Sequence, residues 1–271
     1  MPEFPASPPC SATTPFLFSA MPTLTALLPP PSPAVHPVPP PRPSAPTGDS
    51  VSVSLPFYGR SLAEYVHGFA LDLGSLRTQA VLDVGAGPSS FAVEASRRGL
   101  DVVAIDPLYG CPMTTLATHV QLDYARVAVE ATRRLSGSRL AARETLELER
   151  RTAAQRFLAD YESGFLHNRY IGACLPRLPF LDRSFDLVLC GHVLFGPQSP
   201  FDADQLVTAC LELVRVSAGE VRIAPLTGLS PAEAESLTAR LAEQGVAFER
   251  QPGRGGPAGS RSSLGVLTRR R

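Results

Sequence analysis

The sequence predicts an α/β protein: a Rossmann-like doubly wound sheet, mostly parallel, with a C-terminal antiparallel strand and a helical insertion after the second strand. Three observations carry this. From residue 78 onward, short apolar runs alternate with amphipathic, helix-like stretches, the pattern of a parallel sheet covered on both faces. A glycine turn, Gly85-Ala86-Gly87, joins the first run to a helix. The last two runs, VAFERQ and SSLGVLTRR, flank the glycine-rich stretch 253–259 and read as an antiparallel pair.

Residues 1–48 stand apart. PPPSPAVHPVPPPRPSAPTG, from Pro29 to Gly48, can neither hold a helix nor pair as a central strand. The expectation is a disordered or polyproline-like tail, with Met21 as an alternative start, ahead of a domain at 49–271. The apolar patch PFLFSAMPTLTALL has no basic segment before it and prolines at both ends, so no signal peptide is expected.

Within the domain, Leu62, Tyr65, Val66, Phe69 and Leu73 have helical spacing over 57–76, ended by Gly74. AVLDVG reads as a buried strand, 89–98 as a helix closed by Gly99, and LDVVAID as the second strand. An alanine-, leucine- and arginine-rich insertion spans 113–162. It predicts two helices, 113–135 and 139–162, broken at Gly137, and exceeds an ordinary crossover. A short strand at Arg169–Cys174, a strong one at 185–195, a helix at 202–216 and a strand at 218–226 follow. The helix at 230–245 has Ser230 as cap, Pro231 at its first position and Gly245 at its end.

Composition narrows the classes. Among 271 residues, 25 basic groups balance 25 acidic ones, which argues against wholesale attraction to nucleic acid or an anionic membrane. Every basic side chain other than histidine is arginine, read as the codon bias of a GC-rich bacterial genome. No stretch approaches the roughly twenty apolar residues of a membrane span, so a soluble, cytoplasmic protein is expected. Five cysteines, without C-x-x-C spacing, read as reduced thiols, not as a disulfide framework or a metal site.

The glycine turn lets a ligand approach the backbone, and Asp106, ending the second strand, is placed to accept from both ribose hydroxyls of an adenosine. Two cofactor classes use this layout. A dinucleotide site prefers a third glycine where Ser90 stands, and has phosphates where Asp83 would repel them. An acid at Asp83 suits a ligand with an ammonium group.

D-V-G-A-G followed by A-I-D resembles the first motif and ribose-binding acid of class I S-adenosylmethionine-dependent methyltransferases, and LPFLDRSFDLVLCGHVLF (178–195) is similar to their fourth strand. A bacterial subgroup of uncharacterised members is similar further, in Gly59-Arg60-Ser61 through Glu64-Tyr65, in Asp106 to Tyr109 and in Arg169-Tyr170. The resemblance covers about residues 56–227. It implies a cofactor site at Asp83, Gly85, Ala86, Gly87, Asp106, Pro107, Cys174, Leu175 and Cys190, with S-adenosylmethionine as cofactor. His192, the ionisable group at the end of strand four able to titrate near neutral pH, is the candidate general base or hydrogen-bond partner of the acceptor. Tyr58, Arg60 and Tyr65 are expected to close over the methionine end, Arg60 facing its carboxylate. Two departures matter. Cys174 stands where many members have an adenine-binding acid, and Cys190-Gly191-His192 replaces the N/D-P-P-Y signature of nucleobase methylation.

The function implied is methyl transfer to a small-molecule acceptor that the sequence does not name, in an oligomeric state it does not show. The competing readings are a dinucleotide-dependent oxidoreductase and a catalytically silent S-adenosylmethionine-binding module. The arginine-rich insertion is either a basic lid for an acidic substrate or a solvated face with i,i+4 pairs such as Glu147 to Arg151. Arg269-Arg270-Arg271 reads as a frayed terminus.

Overall fold

The computed structural model describes residues 55–134, 137–195, 199–252 and 263–270. The proline-rich tail, the alternative start and the glycine-rich stretch 253–259 lie outside them.

Seven strands form one sheet in the order β3-β2-β1-β4-β5-β7-β6. β1 (Ala80–Val84), β2 (Asp101–Asp106), β3 (Tyr170–Gly172), β4 (Phe185–Gly191) and β5 (Ser217–Ala224) run parallel. β6 (Val246–Pro252) returns through β7 (Ser263–Arg269), which lies antiparallel between β5 and β6. Strand order reverses between β1 and β4, so ligands are expected at the carboxyl ends there.

α1 (Leu62–Gly68), α2 (Phe91–Ser96) and α4 (Gly137–Leu166) cover one face, and α5 (Ala203–Val216) and α6 (Pro231–Glu243) the other. α3 (Met113–Arg134) pairs with α4 to complete the insertion. Side chains alternate along β1: Val81 joins the core under α1 and α2, Leu82 and Val84 the core under α5 and α6.

The first predicted helix is shorter than its spacing implied. It begins at Leu62, capped by a Ser61–Glu64 capping box, and stops at Gly68 instead of Gly74. Phe69 and Leu71 are both buried, and a helix cannot send residues two apart to the same core. The chain turns at Ala70, φ +53°, and passes through a short 3-10 turn, Ser75–Thr78. Of the C-terminal arginines, Arg269 and Arg270 are held, Arg269 donating from Nη2 to the Val214 carbonyl at 3.1 Å and the Arg270 amide to Gly245 at 2.8 Å, while Arg271 lies outside the described residues. Among the described residues no helix is long and apolar enough to cross a membrane.

Candidate functional site

The glycine loop leaves β1 with two left-handed glycines, Gly85 at φ +67° and Gly87 at φ +56°, a conformation that other residues adopt at a cost. Its amides are spent inside the protein. Gly85 and Ala86 donate to the Ile105 carbonyl at 2.9 and 3.0 Å, and Gly87 to Asp106 at 3.1 Å. At the start of α2, Ser90 donates to the Arg60 carbonyl at 3.1 Å and Phe91 to Ser89 Oγ at 3.0 Å. Two of the amides at the helix N-terminus that would meet a pyrophosphate are therefore already engaged, Ser90 by the chain running over it and Phe91 by Ser89.

That chain is residues 57–61, extended and pressed on the loop. A β-carbon at Gly59 would lie 1.9 Å from the Pro88 carbonyl oxygen. The insertion holds the segment in place. Phe57 donates its amide to Asp123 at 2.8 Å, the Tyr58 hydroxyl donates to Glu147 at 2.6 Å, and the Tyr58 ring packs 4.4 Å from that of Tyr124. Arg150 from α4 donates through Nε and Nη2 to Glu64 at 2.9 and 2.5 Å and lies over the Tyr58 ring. Neither expectation for the insertion covers this. Its arginines at the site are matched with acids, and Glu147 turns inward to Tyr58 and Arg143 instead of outward to Arg151. Arg169 and Tyr170 both donate to Asp160, tying α4 to β3.

Two polar groups here have unmet demand, Arg60 within the segment and Asp83 on β1 beneath it. Asp83 is closed to solvent; Oδ1 accepts from the Tyr65 hydroxyl at 3.1 Å and Oδ2 has no partner. Arg60 Nε is likewise buried and unpartnered, and Nη1 makes one long bond, 3.5 Å, to the Tyr58 carbonyl. Buried polar atoms are almost always satisfied, so an acid and a guanidinium left open together point to a missing zwitterionic partner. Burial pushes Asp83 up to about 7 against the opposing pull of the Tyr65 bond and Arg60. Burial, then Arg150, pulls Arg60 down to about 10.

Asp106 accepts from Gly87 through Oδ2 and from the Leu108 amide, at 2.9 Å, through Oδ1, leaving each oxygen a further lone pair. Burial raises it to about 6 although both amides pull it down. Pro107 and Cys174 are exposed and Leu175 is buried in the loops that follow β2 and β3.

Three expected contacts need correction. The Cys190 side chain is wholly buried in the core under α5, so only its backbone faces the carboxyl edge. Ala86 has its methyl in the opposite core and its amide on Ile105. Tyr58 has its ring buried and its hydroxyl on Glu147, which makes it a strut for the insertion, not a side chain free to close on a ligand. Tyr109 was missed. Its hydroxyl donates to the Gly87 carbonyl at 2.5 Å, and D-P-L-Y, with an apolar tyrosine two residues past a turn proline, was the signal for it.

His192 follows β4 in the left-handed conformation, φ +60°, its amide donating to the Ala224 carbonyl at 3.0 Å. The residue as a whole is exposed, but the protein atoms crowded around its imidazole desolvate it and, with Arg60 and Arg150 nearby, lower its pKa well below the usual value. Val193 packs on the glycine loop, since a β-carbon at Gly85 would lie 2.2 Å from its Cγ2. The loop therefore needs glycine there for Val193 as much as for any ligand. A cavity of about 530 Å³ bordered by Asp72, Gln79, Asp186 and Arg222 opens at the amino edge of the sheet, the wrong edge for the glycine loop. Among the described residues no cluster of histidine, cysteine or carboxylate side chains could hold a metal ion.

A scan against protein-family models finds no match. The chain is 26% identical over 175 residues to an uncharacterised protein of Methanocaldococcus jannaschii, covering 63% of this chain and 77% of that one. Among solved structures it is similar to magnesium protoporphyrin IX methyltransferase from Synechocystis, with 12% identity, 72% of each chain and a TM-score of 0.40. It is also similar to a sugar N-methyltransferase from Streptoalloteichus, with 15% identity, 77% of this chain, 90% of that one and a TM-score of 0.41. The sheet order β3-β2-β1-β4-β5-β7-β6, with β7 antiparallel, is that of a Rossmann-like doubly wound sheet closed by an antiparallel C-terminal hairpin.

Proposed function

We propose that the chain binds S-adenosylmethionine at the carboxyl ends of β1 and β2 and transfers its methyl group to a small-molecule acceptor near His192. The observation that carries the reading is the pair of buried, unpartnered atoms, Asp83 Oδ2 and Arg60 Nε. An amino-acid end presents an ammonium and a carboxylate together, and these two side chains answer both charges. When bound, the cofactor supplies an electrophilic methyl on sulfonium sulfur.

The chain's own residues would then divide the work. Asp106 keeps a lone pair on each oxygen for ribose hydroxyls while holding Gly87 and Leu108. Pro107 and Leu175 flank the adenine end, with Cys174 exposed beside them. Tyr65 orients Asp83. His192, neutral at physiological pH, offers a ring nitrogen lone pair to an acceptor O–H or N–H. In-line positioning supplies much of the rate in such transfers, so His192 is assigned orientation first and proton removal second.

The spent amides of the loop and of α2 weigh against the dinucleotide reading. Calorimetric titration of the full chain with S-adenosylhomocysteine tests the proposal. Micromolar binding is expected, weakened at least tenfold in Asp83→Asn and in Arg60→Gln. Absence of binding to the wild-type protein at millimolar ligand would end it, and binding with no conversion of S-adenosylmethionine to S-adenosylhomocysteine in the presence of any acceptor tried would leave a silent binding module.

A further inference from the structure

The turn after His192 has a second side. Val193 rests on Gly85, while Leu194 and Phe195 form the wall of a cavity of about 300 Å³ between the N-terminal ends of α5 and α6. The turn is fixed from both directions, by His192 donating to Ala224 and by Gly228 donating to the Phe195 carbonyl at 2.7 Å. One rigid turn thus separates the glycine loop from the cavity, with His192 at its start.

The chemistry of the cavity is one-sided. Leu194, Phe195, Phe201, Leu206, Leu229 and Leu237 supply its apolar wall. The charged groups at its rim are engaged locally. Asp202 caps α5 through the amides of Asp204 and Gln205, Glu233 accepts from the Ser230 amide, and Arg240 is paired with Asp204 at 2.6 Å. Against the apolar wall, away from the rim, a charged group would lie without a counter-charge, a costly transfer, while an apolar one gains by leaving water. The volume lies at the small end of the roughly 300–1,000 Å³ range of ligand cavities.

The geometry points to this cavity as the seat for the apolar body of an uncharged methyl acceptor, whose reactive group lies at the His192 end of the turn. The inference rests on the proposed methyl transfer and deepens it by naming the acceptor class. The site is the carboxyl edge of β4 and β5 on the α5–α6 face, across the sheet from Asp83 and Tyr65.

The test uses the full chain and N-phenyl-1-naphthylamine, a neutral fluorescent probe, beside its sulfonated analogue, with S-adenosylhomocysteine titrated separately. Expected are saturable one-site binding of the neutral probe, at least tenfold weaker binding of the sulfonate, and a shift of the His192 imidazole resonance on adding probe, assigned with His192→Asn. Leu206→Trp, which fills the cavity from α5, should weaken the neutral probe at least tenfold and leave S-adenosylhomocysteine affinity within about twofold. Ser236→Trp does the same from α6 should the first variant misfold. Equal probe affinity in the filled variants, equal binding of the sulfonate, or an unmoved His192 resonance would overturn the assignment. Probe behaviour as expected with no binding of S-adenosylhomocysteine would leave the cavity a binding site and remove the methyl-transfer reading.

Discussion

The face under α1, α2 and α4 and the face under α5 and α6 border the same carboxyl edge and are held by different interactions. On the first, the groups next to the glycine loop are polar and buried or half-buried: Asp83, Arg60, Tyr65, Glu64, Arg150 and Glu147, three of them with an atom left open, Asp83 and Arg60 at the loop and Glu147 in the insertion. On the second, Cys190, Cys210, Leu213 and Val221 have no solvent exposure and the charged groups lie at the rim, paired. An apolar face gains stability from burial alone. A polar one gains little net stability from satisfied bonds and loses much from open ones, so its open atoms make sense as a binding device.

The comparison breaks first on the apolar side. Leu213→Ala, at a position with no exposure, should cost about 2–5 kcal/mol in a denaturant titration and leave S-adenosylhomocysteine affinity nearly unchanged once the protein is folded. A loss of affinity beyond about threefold with the fold intact would mean that the two faces are coupled.

The next largest effect belongs to the polar side and to pH. Asp83, near 7 in the folded protein, must be ionised to hold an ammonium. Affinity for S-adenosylhomocysteine should therefore fall about tenfold for each pH unit below 7, as protonation competes with binding, and Asp83→Asn should flatten that profile. Stability should move the other way. Asp83 and Asp106 have folded pKa values of about 7 and 6, above their unfolded values. At these two sites the folded state then binds more protons between about pH 4 and 7, so their contribution to unfolding free energy declines as pH rises through that window, against the opposite contribution of His192, whose pKa is lowered. A wild-type stability that does not fall relative to that of Asp83→Asn as pH rises from 4 to 7 would show that Asp83 is not held above its unfolded pKa in the ligand-free protein.

A smaller effect is expected at the junction with the insertion. Tyr58→Phe removes one bond to Glu147, whose other carboxylate oxygen already lacks a partner. A loss of about 1–3 kcal/mol is expected, since a buried acceptor is left less satisfied, with a modest weakening of cofactor affinity because the segment 57–61 loosens. Glu147→Gln, which keeps an acceptor for the tyrosine, should recover part of what Glu147→Ala loses.

How much of this was legible varies with the range of the interaction. The parallel order, the glycine turn and Asp106 could be read because strand patterning and turn chemistry are local. The end of α1 was misplaced because burial of Phe69 and Leu71 overrode a helical spacing that continued to Leu73. Tyr58, which bonds Glu147, and Glu64, which bonds Arg150, lie 89 and 86 residues away from them, beyond any spacing rule, so the insertion read as a basic lid or a solvated face when it is a brace. Cys190 shows the same limit from the other side. Its place on the strand was right, but which face its thiol takes depends on pleat register and not on residue type.

Not every charge pair on the polar face belongs to the device. Arg156 joins Glu94 at 3.1 Å across α4 and α2, with the arginine side chain 48% exposed, in water and free to exchange partners. Arg156→Ala should therefore cost no more than about 0.5 kcal/mol and less in added salt, whereas Arg150→Ala, at 11% exposure and bound to the buried Glu64, should strip a charge of its partner and loosen the segment over the glycine loop. Equal losses in the two variants, at low and high salt alike, would mean that burial does not separate the bracing arginines from the solvated ones.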